Sequence, residues 1–198
     1  EIIEHPSYVS ELARYIMTDL KEFRKIQGDD TLGGMVICET SEQARRLYDV
    51  FQEEWQKYQP KPIKIKLSDG SYVVGEPEVD YKSKYRPLKA GIILHDTDDK
   101  ETRKQIVKDF KKNMTVDILI VFNMLLTGFD APRLKRLYFG RKLKDHNLLQ
   151  AITRVNRPYP GMRYGFVIDF ADIKRNFKET NEAYLQELNR FNDVDETG

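Results

Sequence analysis

Apolar residues recur along the chain in two rhythms, and the alternation between them marks out the elements. Leu12, Tyr15, Ile16, Leu20 and Phe23 lie three or four residues apart. That spacing predicts a helix over residues 8–27, which Gly28 and Asp29–Asp30 bring to an end. Gly33–Gly34 then lead into Met35-Val36-Ile37-Cys38, an unbroken apolar run that reads as a short buried strand. Thr40 and Gln43 stand at the spacing of a capping box. A helix follows whose face is Ala44, Leu47, Tyr48, Phe51, Trp55 and Tyr58.

Residues 60–88 break this rhythm. Pro60 and Pro62 open the stretch, and Ile63 to Leu67 and Tyr72 to Gly75 flank Ser68-Asp69-Gly70, the signature of a hairpin turn. The stretch is rich in charge of both signs and reads as a partly exposed insertion. Beyond it come a strand at Ile92-Ile93-Leu94, a helix from Lys100 to Lys112 with Ile106, Val107 and Phe110 inward, and strands at Asp117 to Phe122 and Leu134 to Phe139. A helix over His146 to Arg157, stopped by Pro158, a last strand at Tyr164 to Asp169 and a closing helix over 172–192 complete the pattern. Apolar strands without alternation, separated by helices, predict a mostly parallel central sheet covered on both faces. In such α/β sheets ligand-binding loops lie beyond the carboxyl ends of the strands.

Composition narrows the picture without naming a function. The 198 residues suffice for one α/β domain with short helical flanks. The net charge is +1, so any nucleic-acid site must be a local patch. The single cysteine, Cys38, excludes an internal disulfide and leaves no basis for a thiolate zinc cluster. Apolar runs such as Ile118 to Phe122 are far too short to cross a bilayer, and no secretory signal is visible. A cytoplasmic origin is expected. The chain opens at Glu1 without a methionine, from which an excised piece of a longer protein is expected.

Two stretches carry candidate chemistry. The first is the loop after the strand at 117–122, Asn123-Met124-Leu125-Leu126-Thr127-Gly128-Phe129-Asp130-Ala131-Pro132. Gly128 permits close approach of a ligand, and Thr127 offers a hydroxyl and an amide suited to a phosphate oxygen. Asp130 places a carboxylate past the turn; a plain turn capped by Asp130 accounts for the same residues. The second is the set Gln150, Arg154 and Arg157, spaced i, i+4 and i+7, almost opposite the apolar set Leu148, Ile152 and Val155. Two arginines one turn apart make a clamp of planar donors for a phosphate group. A solvated face with surface ion pairs is the commoner fate of helical arginines.

Together the two stretches are more specific. A Thr-Gly-Phe-Asp loop, one strand, then a Gln-x-x-x-Arg-x-x-Arg helix resembles motifs V and VI of the second motor domain of superfamily 2 helicases and translocases. The wording LLTGFDAP followed by LLQAITRVNRPY resembles the motor subunit of type I restriction endonucleases. MVICETSEQARRLYDVF resembles motif IV, with Thr40 and Ser41 as its hydroxyl residues. IILHDTDDKETRKQIVKDFKK resembles the strand and helix before motif V, with His95 and Arg103 at familiar places. The resemblance covers about residues 33–170. Gln150-Ala151 replaces the His-Arg of DEAD-box RNA helicases, which argues against that subgroup, and the insertion at 60–88 has no counterpart.

The resemblance implies a RecA-like three-layer fold. It divides the chain into a helical segment at 1–30 linking to a preceding domain, a motor domain at 31–170, and a helix at 171–198 leading onward. It implies that Arg154 and Arg157 act as catalytic arginine fingers with Gln150 beside them. Asp130 and Gly128 would serve nucleotide binding, and Thr40, Ser41, Thr127 and Gly128 would contact DNA phosphates. The chain has no Gly-x-x-x-x-Gly-Lys-Ser/Thr loop and no Asp-Glu-x-His-like metal motif. ATP and Mg²⁺ are therefore expected in the full-length ATP-dependent deoxyribonuclease, with neither bound by this fragment alone, which is expected to be inactive. Expected partners are double-stranded DNA, a preceding RecA-like domain, and specificity and methyltransferase subunits, with no membrane. A non-catalytic RecA-like binding module, and a type III restriction or other superfamily 2 translocase, are the competing readings.

Other residues point less sharply. His5, His95 and His146 form no metal-ligand spacing, so a structural or surface role is expected for each. Cys38 reads as inert core. Arg133 to Lys144 holds six basic residues in twelve, which either track DNA or defend an exposed edge strand. The Tyr48, Phe51, Trp55 and Tyr58 stripe reads as core packing. No carboxylate-carboxylate-lysine set suggests a nuclease site.

Overall fold

The computed structural model describes residues 2–59, 63–67, 69–75, 86–94, 99–123, 129–141, 143 and 145–170. A 3-10 turn at Ile2–Glu4 leads into α1 (Pro6–Gln27), β1 (Gly33–Ile37) and α2 (Ser41–Lys57). The hairpin β2 (Ile63–Lys66) and β3 (Tyr72–Gly75) follows, then β4 (Ala90–Ile93), α3 (Lys100–Lys108) with a π-helical turn at Asp109–Asn113, and β5 (Ile118–Val121). The last described elements are β6 (Leu134–Phe139), α4 (Asp145–Val155) and β7 (Phe166–Asp169). The closing helix read over 172–192, His95, Thr127 and Gly128 all lie outside the described residues.

Among the described residues, five strands form one sheet in the order β4-β5-β1-β6-β7, and each pairing within it is parallel. Unbroken apolar strands make sense in this arrangement, because successive side chains face opposite covered sides. Val36, Ile118, Ile120 and Tyr138 join α1 and α2 in one core cluster. Met35, Ile37, Leu119, Val121, Leu137 and Phe139 join Phe110 and the α4 residues Leu148, Ala151 and Val155 in the other. The three layers expected from the sequence are therefore present.

Residues 1–30 contribute α1 to the first core. Val9, Leu12, Ala13, Ile16, Leu20 and Phe23 are buried beneath it. Each of these side chains larger than alanine contributes about 1.5–3 kcal/mol when fully buried. Asp19 ties the helix to the sheet: its carboxylate accepts from Arg136 Nη2 at 2.8 Å and from the Tyr138 hydroxyl at 2.7 Å. Gly28 takes a left-handed φ of 67° and closes the helix, as its place after the last apolar residue predicts. His5 caps the other end, its Nδ1 accepting from the Ser7 amide.

At the amino edge of the sheet, charge replaces hydrocarbon. The buried Asp117 carboxylate accepts from Arg24 Nη2 and from the Lys89 amide, each at 2.8 Å. Arg24 Nε also donates to the Leu32 carbonyl. Arg133, likewise buried, donates to the carbonyls of Thr31, Phe110 and Val116 and stacks over the Phe110 ring at 4.6 Å. Burial, and then the Arg24 cation, lower the Arg133 guanidinium to about 10, with Asp117 opposing. These side chains bind backbone groups that the strands leave open where they begin.

Three elements differ from the expected pattern. The helix read over 100–112 ends at Lys108 and widens into the π-helical turn, which carries Phe110 into the core against Gly33. A Cβ on Gly33 would lie 2.5 Å from the Phe110 ring, so the glycine makes this packing possible. The helix read to Arg157 ends at Val155. Pro158 disfavours helical backbone at the residue before it. The hairpin stands apart as its own two-stranded sheet, with Gly70 at a φ of 87° in its turn and Tyr72 and Val74 exposed. Among the described residues no helix is long and apolar enough to cross a membrane.

Candidate functional site

Phe129, Asp130 and Ala131 lie on the approach to β6, where the Leu134 amide donates to the Ala131 carbonyl at 2.9 Å. Phe129 and Ala131 are buried in the core beneath α4, which leaves the Asp130 side chain between them exposed. Phe129 packs beside Phe110, with ring centroids 6.0 Å apart. The backbone either side of Asp130 is thus anchored by apolar burial.

Helix α4 follows β6 and returns antiparallel to it, so its last turn also reaches the amino end of the sheet. Leu148, Ala151 and Val155 face the core, and Gln150 and Arg154 lie on the other side, partly exposed. Arg154 Nη1 donates to the Phe129 carbonyl. Arg157 lies two residues past the helix, with its Nε 3.3 Å from Asp130 Oδ1. Loop and helix therefore meet, but Arg157 does not share the helix face that its i+7 spacing predicts. A turn outside the helix brings it to Asp130. Burial, and then the Arg157 cation, lower the Arg154 pKa from its ordinary value, and Asp130 opposes the shift.

The position of this cluster corrects one expectation. Asp130, Arg154 and Arg157 gather toward the amino ends of the strands, whereas ligand loops were sought beyond the carboxyl ends. Thr40 and Ser41 do lie at the carboxyl edge, where β1 passes into α2. The Thr40 hydroxyl caps α2 by accepting from the Gln43 amide at 3.0 Å, and it donates to Glu4 Oε1 at 2.7 Å. Gln43 Oε1 accepts from the Glu39 amide, one residue before the cap, so the capping box is displaced by one position. Arg141 follows β6 at the same edge. It donates to Asn123 Oδ1 and lies 5.8 Å from the Phe122 ring.

The basic run from Arg133 to Lys144 does not defend an exposed edge, and its first three cations turn inward. β6 is an interior strand, paired on both sides, and not an exposed edge. Arg133 and Lys135 are buried, and Arg136 turns to Asp19 and to the rings of Phe23 and Phe166. A linear charge count cannot separate a buried guanidinium bound to carbonyls from a solvated one. Lys142 and Lys144 lie outside the described residues. The structure does bury Cys38, where desolvation pushes its thiol up to about 12. Phe51 is core, whereas Tyr58 at the far end of the aromatic stripe is exposed.

Sequence reasoning missed one arrangement beside the arginines. The β1–β6 register slips between Gly33 and Gly34, which pair with Leu134 and Arg136 and leave Lys135 as the extra residue. Its Nζ donates to the Val155 carbonyl at 3.4 Å and to the Arg157 carbonyl. Burial lowers the Lys135 pKa. Gly165 lies beneath the same turn, where an added Cβ would come within 2.5 Å of the Val155 carbonyl oxygen. A lysine at a strand start and a glycine before a strand carry no pattern that marks such a contact.

Two guanidinium groups thus gather near one carboxylate, Arg157 paired with it and Arg154 bound to the carbonyl beside it, a charge balance that fits a phosphate chain. Among the described residues no three His, Cys, Asp or Glu side chains converge as a metal site. Against known families, the family described as type I restriction enzyme subunit R domain 3 matches residues 31–172. The chain belongs to this family. A Methanocaldococcus jannaschii protein provisionally named as the MjaVIIP type I restriction endonuclease subunit is 45% identical over 87 residues, 44% of this chain and 8% of that protein. A type I restriction endonuclease subunit of Staphylococcus aureus is 41% identical over 90 residues, 45% of this chain and 9% of its own length. A second M. jannaschii relative, provisionally named for MjaIXP, is 28% identical over 184 residues, 92% of this chain and 16% of that protein. The chain therefore spans only a small part of the R subunits it matches. Among solved structures, domain 2 of the Mss116p DEAD-box helicase bound to an RNA duplex aligns with a TM-score of 0.52 and 15% identity, covering 86% of this chain and 51% of that one. That likeness shows the RecA-like fold of the R-subunit domain.

Proposed function

We propose that this R-subunit domain is the second RecA-like half of an ATP-dependent DNA translocase within a type I restriction endonuclease. The observation that carries the reading is the gathering of two arginines about the loop at Asp130: Arg157 pairs with Asp130 itself, and Arg154 donates to the carbonyl of Phe129 beside it. ATP, held with Mg²⁺ mainly by a preceding domain, supplies the phosphoanhydride whose hydrolysis drives movement. Arg154, tied to the Phe129 carbonyl, presents a guanidinium whose position is fixed. Arg157 and Asp130 are 46% and 52% exposed. Exposed pairs of this kind contribute only about 0–1 kcal/mol. Arg157 can therefore leave Asp130 for a phosphate at little cost, which frees the carboxylate for a ribose hydroxyl or for Arg154. Gln150, one turn before Arg154, lies beside the same face.

DNA is assigned to the opposite, carboxyl edge. There Thr40 and Ser41 open α2, whose amino end favours anions. The Thr40 hydroxyl is engaged in capping, so the contact is assigned to Ser41 and to the first-turn backbone. Thr127 and Gly128, in the loop that begins at the same edge, are assigned to phosphates as well. Contacts to phosphates grip without reading sequence, as a motor requires. The loop from β5 to β6 would then link the DNA edge to the nucleotide edge. Specificity and methyltransferase subunits are the partners assigned to the whole enzyme, with the cytoplasm as its compartment.

The test is ATP turnover by the full-length protein carrying Arg154→Ala or Arg157→Ala. Arginine fingers contribute about 10³–10⁵ in rate. DNA-stimulated hydrolysis is expected to fall by at least about 10³ while DNA affinity stays within a factor of about three. Normal turnover in both variants would refute the assignment.

A further inference from the structure

Arg157 poses a positional problem that the helix does not solve. α4 ends at Val155, so no helical hydrogen-bond ladder sets the backbone of the second arginine. Its side chain is half exposed, and its pairing with Asp130 is too weak to hold it. What grips its main chain is Lys135, whose ammonium group binds the Val155 and Arg157 carbonyls on either side of Asn156.

The fold is built around that contact. The slip in the β1–β6 pairing gives β6 one extra residue, and such a bulge re-aims a side chain. Leu134 and Lys135 thereby both serve the face that α4 covers, while Arg136 turns to α1. Gly165 lets the last turn of α4 sit close on the sheet, and its amide donates to Asn156 Oδ1 at 3.4 Å. A fully buried ammonium group is costly unless it is bound. Here it meets carbonyl oxygens at the end of a helix, where a cation is favoured. A methionine would fill the same length of space without that cost, so the charge has a task beyond packing.

We infer that Lys135 is a positioning residue for catalysis, clamping the carbonyls of Val155 and Arg157 so that the Arg157 guanidinium is held ready for nucleotide phosphate. This rests on the proposed role of Arg157 and adds the element that gives it geometry. A misplacement of about 1 Å can cost about 10²-fold in rate. Lys135 touches no substrate, so its loss acts on the rate and spares nucleotide binding.

The experiment compares Lys135→Met, Lys135→Gln and Lys135→Arg in the full-length protein, with Arg157→Ala alongside. DNA-stimulated ATP turnover and thermal melting are measured for each. The expected result is a kcat about 10–100-fold lower for the Met and Gln variants. The KM for ATP should stay within about threefold and melting should remain cooperative, with Lys135→Arg recovering most of the rate. A wild-type kcat in the folded Met or Gln variant overturns the inference. So does a loss that appears in KM instead of kcat, or that Lys135→Arg does not recover. If Lys135→Met does not fold, Lys135→Gln is read in its place, and failure of both to fold makes Lys135 a folding residue and also overturns it. If Arg157→Ala itself keeps normal turnover, the finger reading fails first. If Arg157→Ala loses turnover and the lysine variants do not, only the role of Lys135 is lost.

Discussion

At the residue scale, three side chains of different origin converge on one small volume. Asp130 is held there because Phe129 and Ala131 on either side of it are buried, Arg154 because its helix packs on the sheet, and Arg157 because a turn returns it. The types and spacing of these residues were readable in the chain, since two planar cations near a carboxylate suit phosphate chemistry. The route that brings Arg157 to Asp130 was not readable, because it depends on a turn and on Lys135. Arg141 belongs to the other edge, beside Asn123, and follows Gly140, whose amide donates to the Ile37 carbonyl at the end of β1. If that edge meets DNA, Arg141→Ala in the full-length protein weakens binding to all sequences alike and lowers the slope of log affinity against log salt by about 1. An unchanged slope removes Arg141 from the interface. Cys38 makes a separate prediction. Its thiol is pushed up to about 12 by burial, so the folded chain should resist alkylation at pH 8 and react only on unfolding. This raised value contributes stability in full below the ordinary thiol range, and that contribution is lost as pH rises toward about 12. Rapid native-state alkylation would contradict the burial.

At the scale of elements, apolar rhythm located the five strands of the main sheet and helices α1 to α4, because burial on both sheet faces demands continuous hydrocarbon. It failed where side-chain geometry sets the boundary. Phe110 is carried inward by a widened turn that uses the space at Gly33, and Pro158 stops α4 before Arg157. The first half of the basic run, Arg133 to Arg136, misled because burial and charge are independent in a linear count. Arg133 and Lys135 bind carbonyls, not DNA. Gly165 tests the seat of α4. Gly165→Ala would bring a Cβ within 2.5 Å of the Val155 carbonyl oxygen, and such overpacking costs about 1–3 kcal/mol. Thermal melting should drop by several degrees, about 2–4 °C for each kcal/mol at this size. An unchanged midpoint would mean that α4 does not pack on the strand as described.

At the scale of the whole molecule, the sheet separates two assignments. The carboxyl edge carries Thr40, Ser41 and Arg141, and the amino edge carries Asp130, Arg154 and Arg157. The amino edge is stiffened by the buried Arg24–Asp117 pair at 2.8 Å, whose side chains are almost wholly inaccessible. Arg24→Met leaves the buried Asp117 with the exposed Arg86 guanidinium at 3.3 Å and the Lys89 amide. Losing the buried partner should cost about 3–5 kcal/mol, read by chemical denaturation. A cost below about 1 kcal/mol would mean that Arg86 or solvent carries the Asp117 charge. The central claim is that the arginines at this edge stabilise phosphate charge as it develops in the reaction. Binding of ADP and of ADP with aluminium fluoride to full-length Arg154→Ala tests it most directly, because the fluoride complex mimics the transferring phosphoryl group. The account predicts that affinity for the fluoride complex falls about 10²-fold or more while affinity for ADP is nearly unchanged. Equal losses for both ligands, or no loss for either, would contradict it.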